Sequence, residues 1–207
     1  MKTYLLASLV LLAFSATASA EGFYGLGEVS HSSNSLDRAH FDGELSSNGA
    51  TALSSSDKGN SNQWRLQGGY RFNEYLAIEG GYIDFGKAKY KAEYTGGSAQ
   101  GSLKAGGLDV AALISAPLTD SFSVFAKAGL VAAKVKSSLT ASAPADLATT
   151  KTSTNIIAPL LGVGASYKLT QNVDLRADFD HVNGLGKSSK TGKMDDNIFS
   201  LGAVYNF

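Results

Sequence analysis

Residues 63–85 read QWRLQGGYRFNEYLAIEGGYIDF, and polar and apolar positions alternate along them with a period of two. Trp64, Leu66, Gly68 and Tyr70 fall on one face; Gln63, Arg65, Gln67, Gly69 and Arg71 fall on the other. After a short turn at Phe72-Asn73-Glu74, Leu76, Ile78, Gly80 and Tyr82 share one face, and Ala77, Glu79, Gly81 and Ile83 oppose it. The pattern predicts a hairpin with one apolar face and one small, polar or charged face. It recurs at 115–130 around a turn at 117–120, and at 166–179 around a turn at 169–172. Asn73, Thr119 and Thr170 mark the three turns at nearly even intervals. Segments 22–30 and 197–207 add a first and a last strand, giving eight in all, an even number as an antiparallel closed barrel requires.

Facing and loop lengths decide what kind of sheet this is. Phe122, Val124, Ala126, Ala128 and Leu130 share one face; so do Leu161, Val163, Ala165 and Tyr167, and so do Phe199, Leu201, Ala203, Tyr205 and Phe207. Asp174, Arg176, Asp178 and Asp180 alternate with Val173, Leu175, Ala177 and Phe179. The three turns are tight, whereas 31–60, 86–101, 134–154 and 183–196 read as long polar loops. Residues 31–60 hold eight Ser, three Asn and three Gly and read as a mobile loop. Short turns at one rim and long loops at the other fit an outer-membrane barrel, with strands near the ~9–11 residues needed to cross. The expected fold is all-β: an eight-stranded antiparallel up-and-down transmembrane β-barrel, apolar face to lipid and charged face inside. Trp64, Tyr70, Tyr82, Phe122, Tyr167, Phe199 and Tyr205 are then candidate girdle aromatics. The alternatives are a sandwich core for these aromatics, and a periplasmic lipocalin-like barrel that would extract without detergent.

Targeting supports the membrane reading. Residues 1–20 read MKTYLLASLVLLAFSATASA: a basic start, an apolar run and an A-x-A cleavage site, so a signal peptide is expected at 1–20 and the barrel domain at 21–207. That run is too short to span a bilayer as a helix, which takes about 20 residues. Lys plus Arg and Asp plus Glu both number 18, which gives no argument for nucleic acid. Cysteine is absent, which excludes a disulfide framework and a thiol nucleophile.

The stretches GYRFNEYLAIEGGYIDFGK (69–87), YKLTQNVDLRADF (167–179) and SLGAVYNF (200–207), in this order, resemble the OmpA-like transmembrane domain family. The resemblance implies an inward Glu–Arg pair at Glu79 and Arg176, inward charges at Lys127 and Glu28, and an assembly signal at the final aromatic, Phe207. It departs from the family at Leu113 and Ser166, where an inward lysine and a second glutamate would stand. With the chain stopping at Phe207, the peptidoglycan-binding domain of larger members is expected to be missing. Glu28, Arg65, Glu79, Lys127, Arg176 and Asp178 supply three charges of each sign for an interior network.

Other candidate chemistry is thinner. His31-Ser32-Ser33-Asn34 is similar to the His/Ser motif of lipid A deacylases, but Glu28 falls on the opposite face from His31 and Ser33. His40 and Asp42 offer at most a weak metal site, and GLGE (25–28) and GVGA (162–165) lack the helix and lysine of a phosphate loop. Lys87, Lys89, Lys91 and Lys104 place positive charge near the outer rim, where lipopolysaccharide phosphates lie. The expected protein is a monomeric, non-enzymatic structural or surface-interaction barrel of the Gram-negative outer membrane, without cofactor, metal or nucleic acid. Its expected partners are outer-membrane lipid and lipopolysaccharide, the assembly machinery, and surface ligands met through loops 31–60, 86–101, 134–154 and 183–196. A small channel gated by the Glu79–Arg176 pair is the alternative, and a lipid A-modifying hydrolase the remote one.

Overall fold

The structure, a computed structural model, describes residues 21–36, 38–58, 60–142, 149–187 and 191–207. The expected signal peptide at 1–20 lies outside the described residues. Nine strands and one helix are described: β1 (Gly22–Leu36), α1 (Arg38–Ser47), β2 (Ser54–Lys58), β3 (Asn60–Arg71), β4 (Leu76–Tyr94), β5 (Gly97–Pro117), β6 (Phe122–Ala141), β7 (Thr150–Lys168), β8 (Val173–Lys187) and β9 (Gly192–Asn206). The ladder runs β4-β3-β1-β9-β8-β7-β6-β5, and β5 pairs back onto β4. Every neighbouring pair is antiparallel. β2 continues the line of β3 along the outer half of β4, with Lys58 opposite Lys89 and Trp64 opposite Asp84. The result is a closed eight-position transmembrane barrel.

The three turn marks act alike. Asn73 Oδ1 accepts from the Tyr75 and Leu76 amides, both at 2.8 Å. Thr119 Oγ1 accepts from Phe122 N and Thr170 Oγ1 from Val173 N, each at 3.0 Å. A short polar side chain satisfies the backbone of each turn, which fixes the register of the hairpin that follows.

Through the lower half, apolar side chains face out. Val29 is 71% exposed and Ile157, across the barrel, 74%, while Arg65, next to Val29 in the β1–β3 wall, is 2% exposed and faces in. Only hydrocarbon makes that arrangement favourable, since in water it would expose the grease and bury the ions. The outward rows turn polar at His31, Asn62, Asp84, Lys104, Lys134, Asn155, His181 and Asn197.

Above that line the structure corrects the loop assignments. Residues 86–101 are not a loop: β4 runs on to Tyr94 and β5 begins at Gly97. Residues 31–60 are not one mobile loop but the end of β1, α1, β2 and the start of β3. The ends of 134–154 and 183–196 are strand too; 143–148 and 188–190 lie outside the described residues. In this upper half the facing inverts: apolar side chains point in and polar ones out. Gly86 (φ 68°), at the register shift between Asp84 and Lys87, moves the inward parity from Ile83 and Phe85 to Ala88, Tyr90 and Ala92. Gly184 (φ 72°), between Val182 and Leu185, does the same in β8. α1 seats Phe41 and Leu45, one turn apart and fully buried, over this upper core; Phe41 stacks on Tyr90 at 4.9 Å.

Candidate functional site: the charged lumen

Inward parity on β1, β3, β4, β6 and β8 brings the ions together at mid-height. Arg65 Nη1 lies 2.8 Å from Asp180, 3.2 Å from Glu28 and 3.9 Å from Asp178. Lys127 Nζ lies 2.6 Å from Asp178 and 2.8 Å from Asp180. Arg176 grips Glu79 with two nitrogens, Nη1 onto Oε1 and Nη2 onto Oε2, the latter at 3.2 Å. The same guanidinium donates to Asp178 through Nε (2.9 Å) and Nη2 (3.0 Å), and its Nε is 3.9 Å from Glu28. Its plane sits 4.3 Å over the Phe125 ring. All six charged residues expected from the sequence thus meet in one buried cluster.

The expected six-residue network left out further participants, although alternation already put Asp180 on the inward face. Asp180 bridges Arg65 and Lys127. Asp109 accepts from Gln67 Nε2 at 2.5 Å. The Tyr24 hydroxyl donates to Glu79 Oε1 at 2.7 Å. Gln63 Nε2 donates to Asp196 at 2.6 Å and to Ser32 Oγ at 2.8 Å, one layer further out. The even balance of three charges of each sign is therefore corrected: with Asp109 and Asp180, five buried carboxylates face Arg65, Lys127 and Arg176. Inward parity was the available signal for Asp180, which continues the row Asp174, Arg176, Asp178.

Inward glycines make the room. A Cβ on Gly162 would lie 1.9 Å from Asp180 Oδ1 and 2.8 Å from Lys127 Cε. One on Gly164 would lie 2.3 Å from the Phe125 ring, and one on Gly69 would enter the Tyr24 ring. Below the cluster a cavity of about 400 Å³ opens toward the turns, with Tyr24, Arg71, Asp174, Phe125, Glu79 and Arg176 in its walls. Leu113 and Ser166, the two departures noted above, line it as well. Above the cluster, Ile198, Val131, Leu160, Ile83 and Val182 are all buried, and the apolar upper core and α1 follow.

The outward candidates sit on the wall. Trp64 packs on Tyr82 at 5.4 Å, and Phe199 is exposed nearby on β9. Tyr70 meets Phe23 and Phe72 near the turn end, where Phe122, Tyr167 and Tyr205 are also outward. Phe207 packs edge-on against Tyr205, and its amide donates to the Phe23 carbonyl at 3.1 Å. His31 lies on the outer wall with Nδ1 3.3 Å from Asn62 Oδ1, while Glu28 is inside the lumen. The sheet separates the imidazole from that carboxylate. Asp42 receives hydrogen bonds from Tyr90 and from Ser55 (3.0 Å). Burial, then the Asp42 contact, pushes the Tyr90 phenol up, so it stays a neutral donor. Among the described residues no three acidic, His or Cys side chains converge as a metal site.

The model of the OmpA-like transmembrane domain matches residues 34–207. The chain belongs to the OmpA-like transmembrane domain family. Outer membrane protein A of Serratia marcescens is 31% identical over 140 residues, covering 67% of this chain and 37% of that protein. The chain therefore spans less than two fifths of the length of that relative. Among solved structures, Neisserial surface protein A aligns with a TM-score of 0.56 at 18% identity, over 90% of this chain and 97% of that one. Ail of Yersinia pestis aligns with a TM-score of 0.54 at 15% identity, over 90% and 99%. These likenesses show the fold, a small outer-membrane β-barrel. With the family they locate the chain in the Gram-negative outer membrane.

Proposed function

We propose that this barrel is a closed membrane anchor whose outer half carries a surface-interaction role and no catalysis. One observation supports this most: the ionic cluster fills the lumen, and an apolar core capped by α1 stands above it. An eight-stranded barrel is just wide enough to be filled by its own side chains, so this interior leaves no continuous aqueous path. The outward face of the upper half is polar along β4, β5 and β6, and it is the part available to partners outside the cell. Two measurements on the cysteine-free chain test the reading. Cysteines placed at Gln100 and Ser102 react with a membrane-impermeant maleimide on intact cells, and the purified protein gives no conductance steps in planar bilayers. Unlabelled cells or regular conductance steps contradict it.

One observation favours a gated channel as the second reading. Arg176 touches Glu79, Asp178 and Glu28 at once, above a cavity open toward the turns, so it has other partners to turn to. On that reading the wild type conducts and Arg176→Ala changes the conductance. Phe207 is the assembly signal on either reading, and Phe207→Ala lowers the amount of folded barrel in the membrane.

A further inference from the structure

The upper outer wall carries a cationic arrangement that the fold itself disfavours. Lys87 on β4 stands directly opposite Lys104 on β5, and Lys104 directly opposite Lys136 on β6. Like charges placed opposite each other in a ladder repel. Lys134 lies two residues below Lys136 on the same outward row. All four are exposed. Among the described residues Lys104 has one ion-pair partner, Asp84, at 3.9 Å. Among the described residues Lys87, Lys134 and Lys136 have no ion pair.

Directly beneath this row the wall is concave. A groove of about 820 Å³ has Gly106, Leu108, Ala132 and Ile157 along its floor and Lys134 and Lys187 at its rim. The small Ala132 side chain keeps the hollow open, while the Tyr82 hydroxyl lies over Gly106 at its edge; Leu108 and Ile157, 63% and 74% exposed, belong to the lipid-facing band. The groove sits where the wall is incomplete. Among the described residues the β7–β8 ladder ends at Leu160–Val182. Pro159, next along β7, has no N–H to extend it. Gly184 and Gly186, both at positive φ, carry β8 away past that point and line the groove. Lys104 and Lys134 stand roughly 10 Å beyond the last lipid-facing leucines, Leu108 and Leu130, counting four tilted residues along each strand. That is the depth of a headgroup layer, not of the open medium.

We infer that this groove and lysine row form a seat for a phosphorylated glycolipid of the surrounding outer leaflet. Its acyl chain lies along Leu108, Ala132 and Ile157, and its phosphate meets Lys134 and the Lys104–Lys136 pair. The occupant's phosphate neutralises the cross-strand repulsion, and its sugar finds backbone edges of β7 and β8 that make no ladder to each other. The inference is independent of whether the lumen is closed and rests on the orientation in the outer membrane.

Native mass spectrometry of the full chain in detergent tests it, with bisphosphorylated lipid A, its dephosphorylated form and phosphatidylglycerol as probes. Wild type retains bisphosphorylated lipid A in preference to the other two. The triple variant Lys104→Gln/Lys134→Gln/Lys136→Gln binds it roughly 100-fold more weakly. Ala132→Trp, which fills the groove and keeps every lysine, also weakens it, and Lys168→Gln at the opposite rim does not. Heat-modifiability on gels verifies that each variant is a closed barrel. Equal retention of the dephosphorylated form, equal retention of phosphatidylglycerol, or unaltered binding by the triple variant overturns the proposal.

Discussion

Arg176 is the residue with the most to lose. Its guanidinium hydrogen-bonds two carboxylates, stands 3.9 Å from a third and covers an aromatic face, all while almost wholly buried. Arg176→Ala strands Glu79 and Asp178 and should cost about 3–5 kcal/mol, read from urea unfolding in vesicles. Glu79→Gln added to it should recover part of that loss, because the orphaned charge is gone. The glycines make a sharper residue-scale prediction. Gly162→Ala places a Cβ against Asp180 and should cost about 1–3 kcal/mol, whereas Gly27→Ala, with open space around it, should stay within about 0.5 kcal/mol. Much of this site was legible in the sequence, since period-two parity alone put Arg65, Glu79, Lys127, Arg176 and Asp178 on one side. Tyr24 was not legible: it stands next to another aromatic, Phe23, and only its approach to Gly69 and Glu79 makes it part of the cluster.

At the scale of elements, the hairpins through the membrane followed from alternation, and their turns from Asn73, Thr119 and Thr170. The upper strands did not. Several of their inward residues are Ala, such as Ala88, Ala92, Ala99 and Ala105, which contrast little with outward Ser and Gly. The bulges at Gly86 and Gly184 then reverse parity mid-strand, which breaks the period that reveals a strand. α1 was hidden by its Ser and Gly content; only Phe41 and Leu45, one turn apart, mark it. Phe41→Ala removes the ring stacked on Tyr90, and such a truncation costs about 3–5 kcal/mol locally. Amide exchange should quicken at 88–94 and 97–103, with the mid-barrel amides of β8 and β9 unaltered. Uniform quickening throughout the barrel would mean that the cap and the membrane span unfold together.

The molecule as a whole is two cores of opposite polarity stacked in one tube. Below the rim the inside is ionic and the outside apolar; above it, the reverse. Neither half works in the other's solvent, so the level of the inversion sets the depth of insertion. Trp64, the chain's only tryptophan, faces outward beside Tyr82 just below that level. Quenching of its native fluorescence in vesicles is the most direct test. Lipids brominated near the top of the acyl chain should quench it strongly, midplane bromines less, and aqueous iodide hardly at all. Strong quenching by iodide with no response to brominated lipid would put this face in water and contradict the barrel's orientation.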